Sequence, residues 1–161
     1  VAALKILAPR RRWQRGAAAI EFALIFLLFF VLFYAIVSYS LAMLLMQGLT
    51  QAAEEGVRAA IAVNPLAYPS DAGYLTSVET TARNRADAAL SWLPAKARQQ
   101  VVDNNHISTT VNGSVITVTV TYPNYATNGL VPTFTIPLIG PVPRLPTNLV
   151  GEASLQFQSN N

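Results

Sequence analysis

The spacing of apolar residues changes three times along the chain, and each change predicts a different kind of element. From Ala17 to Met46 apolar side chains are almost continuous, and the only ionisable groups in these thirty positions are Glu21, Tyr34 and Tyr39. Such a run predicts a helix that is apolar all round. Thirty helical residues extend about 45 Å, against about 30 Å for the hydrocarbon core of a bilayer, so the run is too long to be only a span. The hydroxyl cluster Ser38, Tyr39 and Ser40 divides it. Residues 17–37 are read as crossing the membrane, with an aromatic residue at headgroup level.

From Leu41 to Val63 the pattern becomes amphipathic. Leu45, Leu49, Ala52, Ala53, Gly56, Val57, Ala60 and Ile61 share one helical face, and Gln47, Gln51, Glu54, Glu55 and Arg58 fall largely on the other. Asn64-Pro65 ends the helix. Its stripe of Ala and Gly permits close backbone approach, either to a partner or to the chain's own head. Beyond the connector "NPLAYPSDAGYL", Thr76 and Glu79 have capping-box spacing, and Val78, Ala82, Ala86, Ala89, Leu90 and Leu93 form a stripe. These predict a second helix ending near Trp92, with Pro94 either kinking it or opening a short third helix through Val101.

The period then shortens to two. In "HISTTVNGSVITVTVTY" the Asn112-Gly113 pair predicts a type I′ turn pairing Val111 with Ser114, Thr109 with Ile116 and Ile107 with Val118. Ile107, Val111, Ile116, Val118, Val120 and Tyr122 then face one way, and mostly Ser and Thr the other. Six prolines between 123 and 148 predict an extended excursion or edge segment. The alternation of Leu149, Ala153, Leu155 and Phe157 with Glu152, Ser154 and Gln156 predicts a closing strand. The fold class is α+β: a long N-terminal transmembrane helix continuing into a small head of helices on a three- or four-stranded antiparallel sheet. The divisions are a basic leader (1–16), the long helix (17–63) and the head (64–161).

Charge sharpens this picture. The formal +3 conceals a leader in which Lys5, Arg10, Arg11, Arg12 and Arg15 contribute +5, leaving −2 for the remainder. Under the positive-inside rule such a topogenic cluster keeps the N-terminus cytoplasmic and sends the head across the membrane. "PRRRWQRG" also has the look of a nucleic-acid patch, but basic residues directly before a span already have a topological role, so no nucleic acid is expected. With no cysteine in the chain, disulfides and thiolate metal sites are excluded.

Little else suggests chemistry. His106 has no second imidazole or thiol with which to build a metal site or a nucleophile-base pair. Phosphate-binding glycine loops are absent, and Asp71, Glu79, Asp87, Asp103 and Glu152 show no motif spacing. Glu54 and Glu55 are adjacent and read as a solvated surface. A non-enzyme without cofactor or metal is expected. A cleaved secretory signal fits poorly, because the apolar segment is about twice the usual length and lacks a convincing A-x-A site.

The order of residues at the start of the run is more telling. Arg15 and Gly16 close the leader, Ala17 follows, Glu21 is fifth after the glycine, and Phe22 precedes the long apolar helix. This resembles the processing site of type IV prepilins. With "QAAEEGVRAA" some thirty residues beyond "RGAAAIEFALI", the stretch 15–60 resembles the TadE-like pseudopilins of the tight-adherence (Tad, Flp) pilus systems. One departure is that many relatives carry a proline where this chain reads Ile25-Phe26-Leu27.

The resemblance implies a pilin-like fold and a minor pilin or pseudopilin role in assembling an adhesive pilus. It implies cleavage between Gly16 and Ala17 by a membrane-embedded aspartyl prepilin peptidase. It further implies that Glu21, beside Phe22, meets the new α-amine of a neighbouring subunit. The partners would be that peptidase, other pilins through the N-terminal helix, and the inner-membrane assembly platform. The location would be the inner membrane with a periplasmic head, with possible incorporation in an extracellular pilus. By position alone, Glu21 lies about 6 to 8 Å along the helix from Gly16, where headgroups, water and the helix dipole can also satisfy it. The alternative is an unprocessed single-pass anchor with a periplasmic binding or scaffolding head.

Overall fold

Helix α1 runs from Gln14 to Ile61, one uninterrupted element of 48 residues. The computed structural model describes residues 14–103, 105–136 and 140–156; Lys5, Arg10, Arg11, Arg12 and Phe157 lie outside the described residues, as does the side chain of Arg15. The chain divides into two compact units, residues 1–37 and 38–161. In the first unit the described part is the apolar half of α1, whose side chains are almost all exposed.

The second unit opens with the amphipathic half of α1. Leu45, Leu49, Ala52, Ala53, Val57 and Ala60 are fully buried, so the face expected from the sequence is the one that packs. A 3-10 turn, Pro65–Ala67, follows the helix, with the Asn64 side chain accepting from the Leu66 amide at 3.0 Å. Helix α2 spans Asp71–Ala89 and is capped by Ser70, whose hydroxyl accepts from the Gly73 amide at 3.2 Å. The capping box expected at Thr76 and Glu79 is not there: Thr76 lies inside the helix and its hydroxyl donates to the Ala72 carbonyl. Ser70 and Asp71 satisfy the first turn one and a half turns earlier. Pro94 does not kink α2 but precedes a separate helix α3, Ala95–Val101. The Arg98 guanidinium ties α3 to α2 through the Asp87 carboxylate.

Strands β1 (Ile107–Asn112), β2 (Val115–Tyr122) and β5 (Leu149–Gln156) form an antiparallel sheet in the order β1-β2-β5. The hairpin register differs from the expected one by two residues: Val111 pairs with Ile116, Thr109 with Val118 and Ile107 with Val120. The loop is Gly113-Ser114, with φ of +60° at the glycine and not at Asn112 or Ser114. That is the requirement of a II′ turn, in which only the first central residue needs positive φ. Because side chains alternate with period two, a slip of two residues leaves every side chain on its expected face. Ile116, Val118, Val120 and Tyr122 accordingly point inward.

The proline-rich stretch yields one helical turn, α4 (Tyr125–Asn128), and a separate two-stranded pairing of β3 (Phe134–Ile136) with β4 (Gly140–Val142). The turn is fixed to the start of β5 by two backbone donors, Tyr125 to the Thr147 carbonyl at 2.7 Å and Asn124 to Asn148 Oδ1 at 3.0 Å. Tyr122 and Tyr125 meet edge to face, 5.5 Å between centroids, and the Tyr122 hydroxyl donates to the Asn128 carbonyl.

Three close approaches hold α1 in this unit. A Cβ on Gly151 would lie 2.3 Å from the backbone of Leu49 and Thr50, so β5 touches the helix main chain there. At Gly56 the corresponding atom would lie 3.1 Å from the Ala82 carbonyl oxygen and 3.3 Å from Val118, and at Gly48 it would strike the Trp92 ring. The Ala/Gly stripe is thus occupied by the chain's own head. Gly151→Ala should lower the unfolding free energy of the full-length chain in detergent micelles by about 1 to 3 kcal/mol in urea titrations followed by circular dichroism. Gly16→Ala, with nothing within 4 Å of the added atom, should leave the transition in place.

The tyrosine pair predicts a pH dependence. Burial pushes both phenols above the ordinary 10.0; at Tyr122 the neighbouring Tyr125 adds to the rise, and at Tyr125 the nearby Leu130 backbone partly offsets it. The unfolded chain therefore ionises first as pH rises, so the stabilisation is complete below pH 10 and is lost as pH climbs through the raised values. Absorbance at 295 nm should show two late-titrating tyrosines, lost in the Tyr122→Phe/Tyr125→Phe double variant, and urea midpoints should fall above pH 10.

Candidate functional site

The chemistry anticipated from the sequence concentrates at the start of α1. Gly16 and Ala17 lie in the first described turns of the helix, both exposed, and the space around Gly16 is open. Glycine in a helix is disfavoured by about 1 kcal/mol relative to alanine, and among the described residues no atom comes within 4 Å of where a Cβ on Gly16 would sit.

Glu21 lies one helical turn after Ala17 and is exposed. On the helix surface its neighbours at i+3 and i+4 are Leu24 and Ile25, and at i−4 it is Ala17. No cationic side chain is therefore available to it from its own helix after Arg15. The structure brings Gly16, Ala17, Glu21 and Phe22 onto consecutive turns of one helix, as the sequence requires. The leader cations Lys5, Arg10, Arg11 and Arg12 lie outside the described residues.

Aromatic rings line the adjacent surface. Phe22, Phe26, Phe30 and Tyr34 stack at successive i, i+4 positions, with centroids 6.0 to 6.3 Å apart and interplanar angles of 20° to 26°. Phe29 and Phe33 make a second stack at 6.2 Å. With Phe22 at 68% exposure and Leu28 at 72%, this surface is unlike the exterior of a water-soluble helix, which carries charge. Side chains of this kind find their low-energy surroundings in acyl chains or against similar helices. The helix is long and apolar enough to cross a membrane.

The head offers other features that sequence reasoning missed. Glu55 accepts from Arg85 Nε and Nη2 at 3.1 and 2.9 Å, and Arg58 approaches both Glu54 and Glu55. The pair Glu54-Glu55 is thus engaged, not merely solvated, though such exposed ion pairs contribute little stability. A partner thirty residues away leaves no local sequence signal. The Gly151 contact did leave one, a glycine inside a strand. His106 is half-buried at the start of β1, its amide and carbonyl used by Val101 and Thr121.

Among the described residues, two depressions in the head bring together no acid-base constellation. A cavity of about 470 Å³ between α3 and the α4 turn is lined by Lys96, Gln99, Gln100, Tyr122 and Asn128, among others. Another of about 350 Å³ lies between Glu54, Val57 and Arg58 of α1 and the last residues of β5. Among the described residues, no group of three or more His, Asp or Glu side chains is placed to hold a metal ion.

Residues 16–58 match the family model of TadE-like proteins. The chain therefore carries a TadE-like domain that begins at Gly16 and takes in nearly all of α1. No curated protein and no solved structure matched the chain.

The position of Glu21 within the apolar run is testable by insertion. A charge at mid-membrane is disfavoured by about 2.5 to 3.5 kcal/mol on insertion scales, and less near the interface. Leu28→Glu should sharply reduce the inserted fraction in microsomal or inverted-vesicle assays, whereas Glu21→Leu should raise it only slightly.

Proposed function

We propose that this chain is a TadE-like pseudopilin or minor pilin, a non-enzymatic subunit in the assembly of a Tad-type adhesive pilus. The observation that carries the reading is the TadE-like match starting at Gly16, on a helix whose first 22 residues from there expose an apolar surface. The family is associated with Tad pilus pseudopilins. The chain would be anchored in the inner membrane with its N-terminus cytoplasmic and its head periplasmic, the orientation favoured by five cations before the span.

In this reading a prepilin peptidase cuts between Gly16 and Ala17. Glycine leaves the scissile carbonyl unshielded, and its low helix propensity eases the extended backbone that an aspartyl peptidase needs. Removal of Lys5, Arg10, Arg11, Arg12 and Arg15 takes away the charges that hold the helix in its cytoplasmic register. The cut also leaves an α-ammonium at Ala17.

Assembly then follows from electrostatics in a low-dielectric setting. An apolar helix that moves from lipid into a bundle of like helices gains little from the hydrophobic effect, because both surroundings are apolar. A carboxylate meeting an ammonium there can decide register. Glu21 of one subunit would approach the Ala17 amine of the next, aided by the positive end of that helix's dipole, while Phe22 and the ring stack fill the helix contacts. Other pilins and the inner-membrane platform are the partners this requires.

Mass spectrometry of the protein from its native host should give a mature N-terminus at Ala17, and a different terminus would refute the processing step. Glu21→Ala should preserve membrane insertion and a folded head while abolishing recovery with sheared pili. Full assembly by that variant would favour the unprocessed tether with a scaffolding head.

A further inference from the structure

A second membrane-facing element can be traced in the head, at the point where it is pinned to α1. The Tyr39 hydroxyl donates to the Arg144 carbonyl at 2.9 Å. With residues 17–37 taken as the span, Tyr39 lies two residues beyond it, and this bond keeps the Arg144 backbone near that boundary. Pro143 beside it is buried, while the Arg144 side chain is exposed.

Composition at this level is unusual. Between Asp103 and Glu152 the sequence contains Arg144 as its only Asp, Glu, Lys or Arg, so no carboxylate lies nearby along the chain to pair with it. The residues leading to Arg144 belong to β4, which pairs with β3 so that Phe134 is opposite Val142 and Thr135 opposite Pro141. Phe134 is 55% exposed and Tyr39 44% exposed. An exposed phenylalanine paired two residues before Arg144, a half-exposed tyrosine bonded to it, and an arginine with no carboxylate nearby in sequence form the residue set of a membrane interface. There aromatic rings sit among headgroups and a guanidinium engages phosphate oxygens in its fork.

We propose that the β3–β4 pair and the segment through Arg144 rest on the outer surface of the bilayer that α1 crosses, with Arg144 against the phosphodiester groups of anionic lipid. This rests on residues 17–37 being the span. The head is then held at two places, by its helix and by this patch, and its tilt above the membrane is restricted. Leaving the bilayer for a fibre requires this second attachment to be given up. An arginine at an anionic surface contributes roughly fivefold to binding, enough to bias orientation yet weak enough to release.

The chain has no cysteine, so single-cysteine variants of the full-length protein label cleanly. Nitroxides at Thr135→Cys on β3, Leu28→Cys in the span and Thr110→Cys near the β1–β2 turn would be compared in nanodiscs of phosphatidylcholine with about one-third phosphatidylglycerol. Oxygen and nickel-chelate accessibility give the depth of each. Leu28 should report acyl chains, Thr110 bulk water and Thr135 headgroup depth. Arg144→Gln should raise nickel access at Thr135 severalfold in the anionic discs and leave Leu28 unchanged. Thr135 as wet as Thr110, with Leu28 in lipid, would overturn the patch and leave the span intact. Leu28 in water would remove both. An Arg144→Gln variant indistinguishable from wild type in anionic discs would overturn the phosphate contact. Shielding of Thr135 that persists in lipid-free micelles with dipolar broadening between copies would assign the surface to a second subunit instead.

Discussion

The head is organised around how closely other backbone can come to the amphipathic half of α1. Gly48 admits the Trp92 ring, Gly56 admits α2 at Ala82 together with Val118 of the sheet, and Gly151 lets β5 touch the helix main chain at Leu49 and Thr50. Alanines 52, 53, 60, 82 and 86 line the same contacts, fully buried. With side chains this small, shape complementarity of backbone carries the packing, and a single methyl in the wrong place must move a whole element. The larger residues Leu45, Leu49, Ile116 and Tyr122 fill the space to either side.

The same helix presents a different surface at its other end. The backbone is α-helical throughout Gln14–Ile61, so what distinguishes the two parts is side-chain pattern. Up to Met46 apolar residues surround the axis; from Gln47 onward they keep largely to one side. This division sets Glu21, on the apolar half, apart from Glu54 and Glu79 in the other unit, since a carboxylate is cheap in water and costly in hydrocarbon.

Much of this was legible because it depends on period. The inward face of α1, the stripe of α2 and the alternation of β2 are local patterns that correspond to burial in the structure, and the apolar run corresponds to an exposed helix. Local chemistry with two candidates was less reliable. Ser70 and Thr76 both offer a capping hydroxyl, and the choice falls to Ser70 because the chain is already helical by Asp71. The dipeptide Asn112-Gly113 suggested one turn, whereas Gly113-Ser114 forms another with the same inward faces. Contacts far apart in sequence, such as Arg85 with Glu55 or Tyr39 with Arg144, carry no periodic trace at all.

The indole of Trp92 lying over Gly48 has an optical corollary. The chain has two tryptophans, and the other, Trp13, precedes Gly16. A subunit trimmed after Gly16 would retain one, seated at the junction of helix and head and half open to solvent. Its emission maximum would then be an intrinsic gauge of whether the two remain docked, readable in lipid or in filaments without any added dye.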